Sequence, residues 1–234
     1  MAHRNRLLSV MSPQLYQKLK PHLTEIYLEQ GTILHRPTNI IEYLYFPIDC
    51  LLSITITTES GNTAETGLVG NRDLLGINAF MGSAETTQTE YIVQISGQAI
   101  RADAPPLLAE FDTNKEMRDI VLRYTQALIA QISQTTACNR LHVLEQRLAR
   151  WLLESSERIE KDELYLTQGF IADMLGVRRA GVTQSAQALQ RQGLIQYRNG
   201  YVKIVDRSGL ESAACECFRV VIDEYDRLLG VHDY

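Results

Sequence analysis

The stretch from Leu166 to Ile204 constrains the fold of this 234-residue chain more than any other part. It reads LTQGFIADMLGVRRAGVTQSAQALQRQGLIQYRNGYVKI. Ala172, Gly176 and Val182 follow one another at steps of four and six residues, which suits a small residue at a helix crossing, a glycine in the turn and an apolar anchor in the second helix. Asn199-Gly200 separates two short β-rich runs, a strong signal for a two-residue hairpin. The segment therefore predicts a helix-turn-helix followed by a β-hairpin wing.

The charges of this segment are segregated. Between Gly176 and Val205 the chain has no acidic residue but five basic ones: Arg178, Arg179, Arg191, Arg198 and Lys203. The formal net charge of the chain is −5, yet residues 138–205 hold 10 Lys/Arg against 7 Asp/Glu. A basic face on a helix-turn-helix and wing is typical of proteins that neutralise the phosphates of duplex DNA. We expect this segment to bind double-stranded DNA; the alternative is an ordinary helix pair and hairpin packed on a neighbour.

The sequence before this segment has a different texture. Ser12-Pro13 predicts the start of a short helix that runs to about Leu19. From about residue 25 to 101, short β-rich runs alternate with turn signals, which favours a β-sandwich or roll of about eight strands. Thr113-Asn114-Lys115-Glu116 is a capping-box pattern that predicts the start of a long helix. The predicted fold class is α+β.

The long helix carries a heptad pattern. Its a and d positions are Val121, Tyr124, Leu128, Gln131, Thr135 and Cys138. Such a stripe is what two parallel helices need to associate, so Val121, Tyr124 and Leu128 are predicted dimerisation residues; packing of the stripe on its own domain is the alternative. We expect a break at Asn139, a second amphipathic helix over 141–159, and one C-terminal helix that begins at Ser208 and has an apolar face from Leu210 to Leu228.

Several classes of protein and site are disfavoured. No segment approaches the ~18 continuous apolar residues of a membrane span, and we see no signal peptide. The four cysteines have no disulfide-framework spacing, which suits a reducing cytoplasm. Cys50 and Cys138 look isolated, and the side chains of Cys215 and Cys217 would diverge on a helix, so we expect structural thiols, no metal and no cofactor. Only His35 lies in the β-rich part, and no nucleophile–base pattern occurs, so we expect no catalytic residues and no enzyme.

The order of these parts resembles the Crp/Fnr (cyclic-AMP receptor / fumarate-nitrate regulator) family of bacterial transcription regulators over about residues 15–205. The likeness is strongest in QGFIADMLGVRRAGVTQSAQALQRQGLI. It implies a cyclic-nucleotide-binding-like sensory β-roll with a dimerisation helix at about 113–137, together residues 1–137, and a winged helix-turn-helix domain with a helical tail over 138–234. It also implies a homodimer on an inverted-repeat DNA site, with RNA polymerase and an unidentified small-molecule effector as further candidate partners.

The resemblance also assigns a recognition helix at about 179–192. The usual reading face of the family is Arg-Glu-x-x-Ser/Gly-Arg; here Arg179 matches the first arginine, Ala180 replaces the glutamate, Thr183 stands at the Ser/Gly position and Gln184 replaces the second arginine. Arg179, Thr183 and Gln184 are expected to touch base edges. The other predicted DNA-binding residues are Arg178, Gln187, Arg191, Arg198 and Lys203. Ala180 and Gly181 either let a phosphate approach the helix closely or relieve crowding at the turn.

The resemblance places a degenerate effector pocket at Gly76, Ile77, Asn78, Thr86 and Thr87. Ile77 stands where nucleotide-binding members have a glutamate for the ribose, and Thr86-Thr87 where they have Arg-Ser for the phosphate. No Lys or Arg occurs from Asp73 to Ala99, and burial of a phosphate without a cation is costly. We therefore expect an effector other than cyclic AMP or GMP; the alternative is a constitutive structural DNA-binding or protein-interaction dimer whose β-roll senses no ligand.

Overall fold

The N-terminal half of the chain is a β-roll built from two antiparallel sheets. The structure, a computed structural model, describes residues 4–82 and 88–230. Two short helices precede the roll, α1 (Arg6–Ser9) and α2 (Pro13–Leu19). Its strands are β1 (Leu23–Leu28), β2 (Ile33–His35), β3 (Tyr43–Pro47), β4 (Leu51–Thr57), β5 (Thr63–Val69), β6 (Glu90–Ile95) and β7 (Gly97–Asp103). One sheet has the order β1-β7-β3 and the other β2-β6-β4-β5. The described residues thus hold seven strands of the roll, close to the predicted eight.

The interior of the roll is apolar and closed by helices. Phe46 from one sheet and Leu52 and Val93 from the other are fully buried in a common core. Leu15 and Leu19 of α2 join this core from outside the sheets. Ser12 caps α2, since its hydroxyl accepts a hydrogen bond from the Leu15 N–H, as the Ser-Pro pair predicts.

The roll is followed by α3 (Ala104–Thr113), α4 (Lys115–Leu141) and α5 (Leu144–Ile159). The predicted capping box is wrong in its first residue. Thr113 ends α3, and Asn114 is the N-cap of α4, because its side chain accepts hydrogen bonds from the backbone N–H groups of Glu116 and Met117. The helix also continues past Asn139, and the chain turns at His142, which is extended.

The C-terminal part comprises β8 (Glu163–Tyr165), α6 (Gln168–Leu175), α7 (Arg179–Arg191), β9 (Ile195–Arg198), β10 (Tyr201–Ile204), α8 (Arg207–Ala213) and α9 (Cys217–Leu229). The predicted single C-terminal helix is wrong: the chain forms α8, capped by the Asp206 carboxylate, and then α9, with Ala214 extended between them. No helix in the described ranges has both the length and the apolar character of a membrane span.

Helix α4 packs on its own chain along the predicted dimerisation stripe. Val121, Tyr124 and Leu128 are only 2%, 0% and 4% exposed and belong to the core of the roll, so their assignment to a dimer seam is wrong. The covering elements are β5 and α9. The Gln131 side-chain amide accepts from the Leu68 N–H (3.0 Å) and donates to the Leu68 carbonyl (3.1 Å), which satisfies the backbone of β5. The polar heptad position thus serves an intrachain contact.

Helix α9 lies antiparallel to α4 and completes the core of the roll. Near the start of α9, Gln134 donates to the Cys217 sulfur at 3.0 Å. Further along α9, Val221 and Tyr225 are buried in the same core as Tyr124. The apolar face predicted for the C-terminal helix is therefore present. It is buried against α4, on the stripe that the sequence predicted to pack against a second copy of the chain.

The loop after β5 docks closely on the C-terminal end of α5. A Cβ atom at Gly70 would lie 2.3 Å from the Arg158 Cβ, so only glycine fits. The Asn71 N–H donates to the Arg158 carbonyl at 2.9 Å. The Asp73 carboxylate accepts from the Gly70 N–H at 2.7 Å and lies 3.4 Å from the Arg158 Nε, in a fully buried ion pair. This contact joins the roll to α5, the first helix after the turn at His142.

We expect Gly70→Ala to lower the free energy of unfolding by about 3 kcal/mol, because an added methyl group must separate the loop from α5. Gly169→Ala is the matched control. A Cβ there meets nothing within 4 Å, so stability should stay constant or rise by up to ~1 kcal/mol. Urea unfolding of both variants measures the difference, and equal stabilities would contradict the tight docking.

Candidate nucleic-acid interface

The helix-turn-helix forms as the sequence predicts. Thr167 caps α6 by accepting a hydrogen bond from the Phe170 N–H, and Gly176 ends the helix in the left-handed region at φ +62°. Ala172 of α6 is buried, and Val182 of α7 is fully buried in the same core. The turn glycine is confirmed, and the small residue and the apolar anchor are both buried, as predicted.

The wing also forms as predicted and is fastened to α7. Asn199 (φ +52°) and Gly200 (φ +83°) both adopt the left-handed conformation of a type I′ hairpin turn. The Tyr197 N–H donates to the Gln190 side chain at 2.7 Å, and its hydroxyl donates to the Leu166 carbonyl at 2.7 Å. Burial raises the pKa of Tyr197 to about 12, so the hydroxyl keeps its proton at neutral pH. β8, which the sequence did not reveal, forms the outer strand beside β10.

The five basic residues of this segment all face solvent. They are Arg178, Arg179, Arg191, Arg198 and Lys203. Within residues 4–82 and 88–230, none of the ion pairs involves these five side chains. By contrast, Arg207 just beyond the wing pairs with both Glu157 and Asp162. The helix-turn-helix and wing therefore present uncompensated positive charge.

One side of α7 is buried and the other is open. Val182, Ser185, Ala186 and Leu189 are buried. The opposite side, at steps of three and four residues, presents Ala180, Gln184, Gln187 and Arg191, all exposed. The side chains of Gln184 and Gln187 thus project outward from the middle of this exposed face.

Arg179 lies at the edge of the exposed face, beside the wing. It lines a cleft of about 340 Å³ together with Thr167, Gln168, Arg198 and the wing turn. The structure thus brings two predicted DNA-binding arginines to one concave site near the N-terminus of α6.

Thr183 and Gly181 have structural roles on α7. The Thr183 hydroxyl lies 2.7 Å from Gln168 Oε1 and 3.1 Å from the Arg179 carbonyl, so its one proton can be donated to either oxygen. The bond to Gln168 links α7 to α6. A Cβ at Gly181 would lie 2.9 Å from the Leu144 Cδ2. The sequence left two explanations for this glycine, close approach of a phosphate or relief of crowding. The contact with Leu144 agrees with relief of crowding.

Arg178 borders a second, larger cleft. This cleft, about 1100 Å³ in volume, lies between the start of α7 and the β4–β5 hairpin of the roll. Ala180 and Gly181 line its α7 side, and Asn62 of the hairpin lies on the opposite wall. The N-terminus of α7 is therefore flanked by the wing on one side and by the roll on the other.

The predicted effector pocket is filled by core packing where it is described. Gly76 has φ +100°, and a Cβ there would lie 2.7 Å from the Leu44 Cδ2. Ile77 is buried in the core of the roll, so its side chain packs on protein at the position where nucleotide-binding relatives are expected to have a carboxylate. Asn78 is half-buried beside it, and Thr86 and Thr87 lie outside the described residues.

A buried carboxyl group that the sequence did not reveal joins the roll to α5. Glu65 of β5 accepts hydrogen bonds from Ser53 (2.7 Å), Gln94 (2.7 Å) and the Trp151 indole N–H (2.9 Å). Burial raises the pKa of Glu65 to about 7 despite these donors. An acidic residue within a β-rich run was the available signal, but nothing in the local sequence identified Trp151 as its partner.

The expectation that Cys138 is isolated is wrong. Its sulfur lies 3.4 Å from the sulfur of Cys215, and Cys217 and His142 adjoin this pair. The break between α8 and α9 brings Cys215 and Cys217 to the same place, where one continuous helix would have separated them. Cys50, in the core of the roll, lies apart from this cluster.

Comparisons with known proteins agree with this geometry. The family model of the Crp-like helix-turn-helix domain matches residues 146–213. Residues 146–213 therefore form a Crp-like helix-turn-helix domain, and the chain has the fold of solved Crp/Fnr regulators. A Crp/Fnr-family transcriptional regulator from Eubacterium rectale has a TM-score of 0.66 and 18% identity, over 90% of this chain and 98% of that chain.

Two further solved structures have the same fold. FixK2 from Bradyrhizobium japonicum has a TM-score of 0.70 and 15% identity, over 82% of this chain and 98% of that chain. The c-di-GMP-responsive global regulator CLP of Xanthomonas campestris has a TM-score of 0.67 and 15% identity, over 82% and 99% of the two chains. A search of curated protein sequences gave no match. The predicted resemblance to Crp/Fnr regulators and the predicted fold are confirmed.

We expect the junction at Glu65 to make stability depend on pH. The pKa of Glu65 in the folded chain, about 7, exceeds its ordinary value of 4.5, so the folded chain holds a proton that the unfolded chain releases. Its contribution to stability is complete below pH 4.5 and is lost as the pH rises through 7, a change on the order of 3 kcal/mol.

Glu65→Gln should remove this part of the pH dependence, because the amide does not titrate. Glu59→Gln, at an exposed position of the β4–β5 hairpin, is the matched control and should keep the wild-type slope. Urea unfolding between about pH 4.5 and pH 7.5 measures the slopes. An unchanged slope in Glu65→Gln would show that the carboxyl group titrates normally.

Proposed function

We propose that this chain is a homodimeric, sequence-specific transcription regulator that binds an inverted-repeat DNA site through α7 and the wing. The observation that supports this proposal most strongly is a set of five exposed Lys/Arg side chains on a Crp-like helix-turn-helix domain. None of the five forms an ion pair with the described residues. Cations at this density release counterions when they meet phosphates, which drives binding to DNA. RNA polymerase remains a further candidate partner.

The base-reading residues in this proposal are Gln184 and Gln187. Both project from the exposed middle of α7, and a glutamine amide can donate and accept toward the N6 and N7 groups of adenine. Thr183 is no longer proposed as a base-reading residue, since its hydroxyl proton is taken up by Gln168 Oε1 or by the Arg179 carbonyl.

The phosphate-holding residues are Arg178, Arg179, Arg191, Arg198 and Lys203. We assign Arg179 to the phosphate contacts, and not to the base contacts that the sequence predicted, because it shares a cleft with Arg198 and with Thr167 at the N-terminus of α6. Two guanidinium groups beside a helix N-terminus suit one backbone phosphate of the duplex. A base contact by Arg179 is the competing assignment, and a DNA titration of single variants separates the two.

We expect Gln184→Ala to cost about 1–3 kcal/mol on the preferred site and to relax sequence preference at one position of each half-site. Arg179→Ala and Lys203→Ala should weaken binding to all sequences alike. Each should also lower the log–log salt slope by ~0.9 for every phosphate that is no longer neutralised. The measurement is a binding titration at several salt concentrations, on a site selected from random DNA and on its single-base variants.

Arg219→Ala is the matched control, because this arginine lies on α9 and pairs with Glu211. It should leave both affinity and salt slope unchanged. If Arg179→Ala changes sequence preference, the arginine reads a base. If Gln184→Ala weakens every sequence equally, the assignment of the reading face is wrong.

The proposed dimer seam is the outward face of α4. Leu122 and Ile129, one heptad apart, are 54% and 56% exposed, and the polar Gln126 and Ser133 lie on the same side. Exposed apolar residues at a heptad spacing are stabilised when a second helix covers them. This face replaces the buried stripe of Val121, Tyr124 and Leu128.

Ile129→Asp should convert the dimer to a monomer, because it places two charges in the seam. Ile40→Asp, at a 60% exposed position between β2 and β3, is the matched control and should leave the dimer intact. Sedimentation at micromolar concentration gives the mass of each. A wild-type monomer, or a dimeric Ile129→Asp variant, would contradict this seam.

We also propose that the roll responds to an effector other than cyclic AMP or GMP. Ile77 packs in the core and supplies no carboxylate for a ribose, and residues 73–99 supply no cation for a cyclic phosphate. A structural change caused by the effector would reach the DNA-binding helices through Glu65 and Trp151, since their hydrogen bond joins β5 of the roll to α5.

A further inference from the structure

Four potential metal ligands meet where α4 ends and α9 begins. They are Cys138, His142, Cys215 and Cys217, and their donor atoms all lie within 4.8 Å of one another. Cys138 lies in the last turn of α4 and His142 directly follows the helix, and Cys215 and Cys217 flank Glu216 at the start of α9. The three thiols are buried and form a separate cluster of their own.

The distances fit tetrahedral coordination. With metal–sulfur bonds of ~2.3 Å and metal–nitrogen bonds of ~2.0–2.1 Å, a tetrahedral zinc site has edges of about 3.8 Å between sulfurs and about 3.6 Å between sulfur and nitrogen. Here the sulfurs of Cys138 and Cys215 are 3.4 Å apart, and the sulfur of Cys217 is 3.5 Å from His142 Nδ1. A small adjustment of the side chains therefore suffices to hold one ion.

The surrounding groups orient the ligands. The His142 Nε2 lies 3.3 Å from a carboxylate oxygen of Glu216, which leaves Nδ1 free to coordinate. Metal-bound histidines usually have such a carboxylate partner on the other ring nitrogen. The Gln134 amide donates a hydrogen bond to the Cys217 sulfur at 3.0 Å, as suits a thiolate ligand. These contacts distinguish the cluster from thiols that merely fill a core.

We propose that Cys138, His142, Cys215 and Cys217 bind one thiophilic divalent metal ion of the zinc class. Four protein ligands make a closed, structural type of site, with no position left for a substrate. The ion would fasten the tail to the end of α4, immediately before the turn at His142 that leads into α5. It would thus join the two ends of the DNA-binding part across residues 138–217.

The experiment uses the full chain prepared under reducing, anaerobic conditions. Metal content is measured by mass spectrometry, and affinity by Zn²⁺ titration of chelator-treated protein against a chromophoric chelator. Co²⁺ replaces Zn²⁺ to report tetrahedral geometry and thiolate ligation by its absorption spectrum. We expect one ion per chain, a tetrahedral thiolate spectrum, and slower hydrogen exchange in α9 when the metal is bound.

Cys217→Ser and His142→Gln should lose stoichiometric binding. Glu216→Gln, an exposed substitution that leaves all four ligands in place, should weaken it about 10- to 100-fold. Cys50→Ser is the matched control and should bind as the wild type does, since Cys50 lies in the core of the roll. Four results would each overturn the site. They are absence of metal binding in the wild-type protein, retention of binding in Cys217→Ser, loss of binding in Cys50→Ser, and a Cys138–Cys215 disulfide in freshly prepared protein.

Discussion

The close approach of Gly70 to Arg158 is the contact on which the arrangement of the molecule depends. It allows the buried Asp73 carboxylate to pair with Arg158, and the backbone of Asn71 to bond to the end of α5. A buried ion pair contributes little net stability, yet removal of one partner leaves an uncompensated charge. The contact therefore favours one position of α5 against the roll. Since α5 also carries the packing of α7 through Leu144 and Gly181, the same contact sets where the exposed face of α7 points.

Helix α4 shows why a sequence pattern predicts an apolar stripe but not its partner. The predicted heptad positions form a continuous face of α4. The solvent-exposed face of the same helix has a second apolar pair, Leu122 and Ile129. The stripe is covered by β5 and by α9, which lie far from it in sequence. Gln131 shows the difference most clearly, because its polarity weakens a coiled-coil seam but suits the backbone of Leu68.

Local chemistry explains which parts were predictable. The turn at Gly176 and the hairpin at Asn199-Gly200 require left-handed backbone, and each was predicted from a few adjacent residues. The second helix of the pair likewise follows from the spacing of its own residues, whereas its assignment as a recognition helix came from the family resemblance. Glu65 with Trp151, and the four-ligand cluster, depend on residues 86 and up to 79 positions apart, which only the fold brings together. The extended Ala214 was decisive for the cluster, since it ends α8 and turns Cys215 toward Cys138.

These contacts define how a change in the roll can reach α7. Three of the described connections lead from the roll and α4 to the DNA-binding part: Glu65 with Trp151, the loop at Gly70 with Arg158, and the tail with the end of α4. Each buries polar groups that are costly to leave unpaired. A signal must therefore exchange one set of partners for another, because leaving these groups without partners would cost more than typical coupling energies of about 1–3 kcal/mol. Glu65 suits such an exchange best, since gain or loss of its proton near neutral pH changes whether the carboxyl group can accept from Ser53, Gln94 and Trp151 at the same time.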